Sequence, residues 1–321
     1  MSDMSDMTAL RAHRRGGPEV FVVERAPVPE PAAGEVLVEV HAAAITFDEL
    51  TWPETWKRVD RTPAIPSHEV SGLVVAAAPD VSDLTVGDEV YGLIRFDRDG
   101  AAAEFVAVPA ADLAARPAAV SHVISAALPL AGLTAWQALT THARVQPGEK
   151  VLVLGGTGGV GALTTQVAHL LGAEVTATIR SDATGLLLGL GADHVIDTRV
   201  NDLGSMGADY DVVVDTVGGA TLQSAFTVVR RGGRLVTLSA PPPPGLADQY
   251  GVAATFFIVT PDRGQLAELA RLVDAGQLRV AIADTFALAY GRAAFESGGN
   301  PDRRPGKTVL VVRDNPSDRG Q

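Results

Sequence analysis

The sequence predicts an α/β chain in two parts, a partly barrel-shaped β domain and a doubly wound parallel sheet. Three observations predict it. The first third carries short β-branched runs with no helical pattern between them, strands and helical patterns alternate after residue 126, and a glycine-rich turn from Gly155 to Gly161 joins one such strand to its helix.

The elements follow in order. Val36 to Val40, Gly72 to Ala76 and Asp88 to Gly92 read as strands, and Ala101 to Val108 continues the set. The pieces between them, such as Pro27 to Gly34 and Pro79 to Asp83, are turn-rich, so the pairing is expected to be antiparallel. From Ala126 to Leu139 apolar residues recur at helical spacing, and Val145, Pro147 and Gly148 turn into a new strand. Strands are then expected at Lys150 to Leu154, Glu174 to Ile179, His194 to Ile196, Asp211 to Asp215, Arg234 to Leu238 and Thr255 to Thr260. The helices between them are expected at Gly159 to Leu171, Asp182 to Leu190 and Ala220 to Val229, with Arg263 to Ala275 after the last. A final strand, Thr308 to Val312, follows a Pro- and Gly-rich stretch and is expected to rejoin the first domain. The expected division is 1–125 completed by 285–321, with 126–284 between.

Composition bounds the function. The 321 residues allow two ordinary cores, and 46 % hydrophobic with 20 % charged residues is the balance of a soluble globular enzyme. A formal charge of -12 offers no phosphate-neutralising surface, so nucleic acid is not an expected partner. The chain has no cysteine, which excludes disulfides, thiolate catalysis and cysteine-ligated metal and fits a cytoplasmic location. Met1 to Thr8 is polar and acidic, reads as a frayed tail, and resembles neither a signal peptide nor a membrane anchor. No window approaches the ~20 apolar residues of a spanning helix.

The chemistry is carried by Val151 to Gly161, in which Gly156, Thr157, Gly158, Gly159, Val160 and Gly161 form G-x-G-x-x-G between a buried strand and a helix. Glycines permit a tight turn and close backbone approach, and the helix N-terminus offers free N–H groups to a pyrophosphate. A P-loop needs Lys and Ser or Thr after its last Gly, whereas Ala162 and Leu163 stand here. The second strand ends Ile179, Arg180, Ser181 without the acid that would hold a ribose 2′-hydroxyl. A guanidinium and a hydroxyl there favour NADPH over NADH; the other readings are a solvated Arg180 and a Ser181 that caps the next helix.

These residues resemble the medium-chain dehydrogenases and reductases, in their zinc-independent, quinone-oxidoreductase-like branch. The matching pieces are Gly34 to Val38, Pro66 to Gly72, Val86 to Val90, Leu128 to Ala135, the glycine turn, Leu190 to Asp193 and Gly306 to Val309. The resemblance implies a GroES-like catalytic domain at both chain ends, a Rossmann cofactor domain between them, and an active site in the cleft. Zinc-dependent members hold the metal with Cys, His and Cys. Here His68 remains, while Ile45 and Leu130 or a neighbour stand at the cysteine positions, and one imidazole beside Glu69 cannot make a tetrahedral site. Without a metal to stabilise a localised alkoxide, the expected acceptor is a quinone or an α,β-unsaturated carbonyl, over which the added charge spreads.

Further residues are implied. The segment Ile45 to Trp52 lacks the tyrosine that relatives often place there; Asp48 orients a water or substrate or caps a helix, and Trp52, like Phe47, walls an aromatic ligand or packs. His68 donates a proton or is a hydrogen-bonded relic. Lys307 matches a basic position that reaches the pyrophosphate, against a surface lysine before a strand. Thr134 matches a residue lining the nicotinamide pocket, against a hydroxyl bonded to its own helix. Ser239 lies at the carboxyl end of a sheet strand, where cofactors bind. Strand Thr255 to Thr260 resembles the edge that pairs cofactor domains in homodimers. Two alternatives remain open, an enoyl reductase of a biosynthetic pathway and a non-catalytic NADPH-binding sensor, while a third rival, a short-chain dehydrogenase, is poor. The last lacks its Tyr-x-x-x-Lys pair, since none of Tyr91, Tyr210, Tyr250 and Tyr290 is followed by Lys four places on.

Overall fold

A computed structural model describes Ser5–Trp56, Thr62–Asn300 and Asp302–Arg313. Part of the expected amino-terminal tail and residues 57–61 lie outside the described residues. The tail is shorter than the sequence suggests. Strand β1 (Asp6–Ala12) pairs antiparallel with β2 (Phe21–Pro27), and Met7, Ala9, Leu10 and Ala12 enter the core. Met7 and Ala9 lie on one face of the strand and Leu10 and Ala12 on the other, so both faces are partly buried.

Next come β3 (Glu35–Ile45), β4 (Glu69–Ala77), β5 (Glu89–Leu93), β6 (Phe105–Pro109) and β7 (Leu113–Ala115). The expected helix from Ala126 is broken into α1 (His122–Ala126), α2 (Pro129–Trp136) and a π-helical stretch, Gln137–His142. Pro129 explains the break, because it lacks an N–H and disfavours helix at the residue before it, yet suits a first helical turn. Ser121 caps α1 by accepting from the Ile124 N–H.

The alternating region follows as expected: β8 (Lys150–Leu154), α3 (Gly159–Leu170), β9 (Glu174–Ile179), α4 (Thr184–Gly189), β10 (His194–Asp197) and β11 (Tyr210–Asp215). It continues with α5 (Gly219–Val228), β12 (Val229–Thr237), an unexpected short helix α6 (Leu246–Tyr250), β13 (Ala253–Phe256), which ends four residues short of the expected end at Thr260, and α7 (Arg263–Asp274). The chain closes with β14 (Ile282–Ala287), α8 (Gly291–Glu296) and β15 (Lys307–Val311). α8 falls within the Pro- and Gly-rich stretch Ala287 to Lys307, and β14 precedes that stretch, where no element was expected.

Two compact units result. One comprises the described parts of Met1–Leu133, Thr260–Gly276 and Val280–Gln321, the other Thr134–Val259 with Gln277–Arg279. The first is built on a sheet of order β14-β15-β3-β4-β5-β7, antiparallel except for β14 with β15, while β6 pairs β3. The second holds a six-stranded parallel sheet of order β10-β9-β8-β11-β12-β13. Val151 to Leu154 and Val212 to Val214 are fully buried, as the two central strands of a sheet covered on both faces require. Each such side chain contributes roughly 1.5–3 kcal/mol on leaving water.

Counted from β8, the strand order is 3-2-1-4-5-6, which reverses between β8 and β11. The glycine turn leaves β8 at that reversal. Among the described residues no helix is long and apolar enough to cross a membrane.

Candidate active site

The glycine turn is fastened to its neighbour strand. Thr178 on β9 accepts the Gly156 N–H on its carbonyl at 2.9 Å, and its hydroxyl accepts the Gly155 N–H at 2.9 Å. Gly155 adopts φ +84°, which favours glycine. A side chain at Gly156 would press on Leu187 Cδ1 at 2.8 Å, and one at Gly161 would overlap the Gly155 carbonyl. These two glycines serve packing. Gly158 differs, because a Cβ there would meet nothing nearer than 3.5 Å. It is exposed, N-caps α3 in extended conformation, and supplies no side-chain cap. The first N–H groups of α3, from Gly159 to Gly161, therefore have no intrahelical acceptor and carry the positive end of a twelve-residue helix. Thr157 and Val160 stand half-exposed beside them. This cradle fits a pyrophosphate.

Arg180 and Ser181 follow β9 and are both exposed. Among the described residues Arg180 makes no hydrogen bond or ion pair, whereas nearby Arg199 is held by Asp197 through three short contacts of 2.6–3.0 Å. Arg180 is thus an exposed cation without a partner among the described residues at this strand end. Ser181 does not cap the following helix; Ala183 occupies that position, without a side-chain bond. Ser239, exposed after β12, sits against Gly218, whose φ of +80° and lack of a Cβ leave room for the serine hydroxyl. Thr134 is buried on α2 in the same unit.

The remaining candidates fall in the first unit. Asp48 is exposed, and its side chain makes no capping bond to the short 3-10 turn Glu49–Thr51 that it precedes. The buried acid is its neighbour. Glu49 accepts the Ser67 N–H at 2.9 Å and lies 4.0 Å from His68 Nε2. Burial pushes its carboxyl up to about 8, against the Ser67 N–H and the Lys307 charge that pull it down. His68 is itself buried, and Phe96 stands edge-on to its ring at 5.2 Å and to Trp52 at 5.3 Å. Phe47 is half-buried beneath the Arg303 guanidinium, 4.8 Å from its ring centre. The sequence reading missed Glu49 and Phe96; the first is hidden by its match to a neighbouring aspartate position, the second by a loop, Arg95 to Asp99, without periodic pattern.

Lys307 is no surface lysine. It opens β15, is 8 % exposed, and its ammonium donates to Glu69 Oε2, while Glu69 Oε1 accepts the Leu130 N–H at 3.0 Å. Burial raises the Glu69 carboxyl, opposed by the Lys307 charge and these hydrogen bonds. The donor set does not fit zinc. Ile45 and Leu130 bring no ligand atom, Glu69 is held by Lys307, and among the described residues no three His, Cys, Asp or Glu side chains are placed to hold a metal ion. A cavity of about 540 Å³ in this unit contains none of the sequence-derived candidates, and its two arginines, Arg11 and Arg98, are paired with Glu24 and Glu35.

A parallel sheet with a glycine turn at its reversal, in a chain that also carries an antiparallel β unit, has the arrangement of a dinucleotide-binding protein. Comparison with known proteins agrees. Residues 32–118 match the alcohol dehydrogenase GroES-like domain and residues 190–310 the zinc-binding dehydrogenase domain. The chain is 34 % identical to the 2-methylene-furan-3-one reductase of Solanum lycopersicum, covering 87 % of this chain and 72 % of that protein. It is 33 % identical to the NADPH-dependent alkenal/one oxidoreductase of Arabidopsis thaliana, with the same coverage. The quinone oxidoreductase of Coxiella burnetii superposes with a TM-score of 0.88 over 96 % of this chain and 100 % of that one, at 28 % identity. The chain belongs to the quinone-oxidoreductase-like medium-chain dehydrogenases and reductases, a family of NAD(P)H-using enzymes.

Proposed function

We propose that the protein transfers hydride from NADPH, without zinc, to a quinone or an α,β-unsaturated carbonyl. The observation that carries this is the glycine turn at the sheet reversal, with the open backbone at Gly158 and the uncapped N–H groups of α3. These groups and Ser239 would hold the cofactor's backbone, and Arg180 with Ser181 would meet the 2′-phosphate. When bound, the reduced nicotinamide supplies the hydride. Ile45 and Leu130 in place of ligating cysteines support chemistry on an acceptor that delocalises its own charge. Relatives named as alkenal/one, methylene-furanone and quinone reductases support that acceptor class.

The test is oxidation of NADPH followed spectroscopically with a panel of quinones, enones and simple ketones. Turnover confined to the conjugated acceptors is expected; equal turnover of simple ketones overturns the reading. Arg180→Ala is expected to raise the KM for NADPH about tenfold while leaving that for NADH within about twofold, as loss of a charge-assisted contact predicts. Equal effects remove Arg180 from the phosphate site.

We further propose a homodimer paired through β13. That strand is an edge of the parallel sheet, bonded among the described residues to β12 alone, and Ile258 just beyond it is exposed. Pairing with a second copy would satisfy its free backbone groups. Sedimentation at micromolar concentration is expected to give twice the chain mass, and a monomer there defeats the proposal.

A further inference from the structure

Asp215 ends β11 beside the sheet reversal and is wholly buried. A carboxylate in a sheet core is costly unless fully hydrogen-bonded, and nothing in the strand ladder requires one. Its partners lie beyond the strands. Asp215 Oδ1 accepts the Val217 N–H at 3.1 Å and the Gly218 N–H at 3.0 Å; Oδ2 lies 3.2 Å from the same Gly218 N–H and accepts the Thr237 hydroxyl at 3.1 Å. Thr237, also wholly buried, ends β12, and its hydroxyl lies 3.4 Å from Ser239 Oγ. One carboxylate thus ties the loop after β11 to the loop after β12.

The tie extends to the glycine turn. Thr216, between Asp215 and Val217, donates its hydroxyl to the Leu154 carbonyl at 2.7 Å. Its Oγ1 occupies the space a side chain at Gly155 would need, 2.6 Å from that absent Cβ. Gly218 in turn makes room for Ser239. The loops after β8, β11 and β12 are therefore locked to one another at the carboxyl ends of the strands, where doubly wound sheets bind dinucleotides.

We propose that Asp215, through Thr237, is a positioning residue that holds these three loops in their cofactor-binding arrangement before NADPH arrives. The inference rests on the cofactor site proposed above. Loops ordered in advance spare the ligand the entropy of ordering them, so loosening them weakens binding without touching the contacts themselves.

The experiment is titration of NADPH by its own fluorescence on folded wild type, Thr237→Val, Thr237→Ser, Asp215→Asn and Gly158→Val. Thr237→Val removes one donor from the carboxylate at nearly constant volume. It is expected to raise the NADPH Kd and KM about tenfold with kcat within about twofold, and Thr237→Ser, which keeps the hydroxyl, is expected to restore wild-type values. Asp215→Asn is expected to do at least as much where it folds; if it does not fold, the Thr237 pair carries the test alone. A lowered melting temperature with an unchanged Kd in Thr237→Val overturns the positioning role. Equal NADPH binding by wild type and Gly158→Val overturns the cofactor site itself, a failure separable from the first.

Discussion

Gly161→Val is expected to abolish NADPH binding, with at least a hundredfold rise in Kd, and to lower stability as well. Its side chain would overlap the Gly155 carbonyl where the turn packs against the start of α3, and backbone on both sides leaves no flexible atom to yield. Overpacking of this kind costs about 1–3 kcal/mol. Gly158→Ala separates the two effects. Its Cβ meets nothing nearer than 3.5 Å, so the melting temperature should hold while NADPH affinity falls, because a methyl group then stands where the pyrophosphate must approach the backbone. Fluorescence titration with calorimetry on both variants reads the split. Wild-type affinity in Gly158→Ala would place the phosphates elsewhere.

Lys307→Met is expected to destabilise the protein by about 3–5 kcal/mol at pH 8, because it strands the buried Glu69 carboxylate without its cation. The direction with pH follows from the carboxyl. Burial raises it above its ordinary 4.5, and losing Lys307 raises it further. Below about pH 4.5 the folded and unfolded variants both carry the proton, so no buried charge is formed. As pH rises above that value the unfolded chain ionises first, and the variant loses about 1.4 kcal/mol per pH unit until the folded carboxyl also ionises. Calorimetry at pH 5 and pH 8 should show the deficit widening with pH, and Lys307→Met with Glu69→Gln should recover most of it. A deficit independent of pH would mean that packing of the lysine stem, not charge, is what was lost.

The parallel sheet was legible because strands covered on both faces must be apolar along their whole length, as Val151 to Leu154 and Val212 to Val214 are. The glycine turn was legible because its backbone needs are local. Strands β1, β2 and β14 were not, since runs such as Asp6–Ala12 and Ile282–Ala287 mix polar with apolar residues and owe their form to distant partners. The same limit governed the site. Glu69 and Lys307 are 238 positions apart, so no spacing announces their pair. Asp48 drew attention as the acid of its segment, yet which of two adjacent carboxyls is buried depends on the 3-10 turn that carries Glu49 inward. Asp215 looked like the last residue of a strand, and its partners became visible only with the loops in place.

The missing cysteines carry a second meaning once the acceptor class is considered. Quinones and enones are Michael electrophiles that alkylate thiolates, and an enzyme that processes them meets its own substrates as reagents. A chain without a cysteine has no thiolate to add to them. Amines are nearly as scarce: the 26 basic residues include only Lys57, Lys150 and Lys307. Lys150 is engaged by Asp209 at 2.5 Å, and Lys307 is sealed against Glu69. The guanidinium groups that make up the rest are protonated and unreactive at neutral pH. The ion pair that fixes β15 thus also shields one of the chain's few amines from covalent modification by the compounds it reduces.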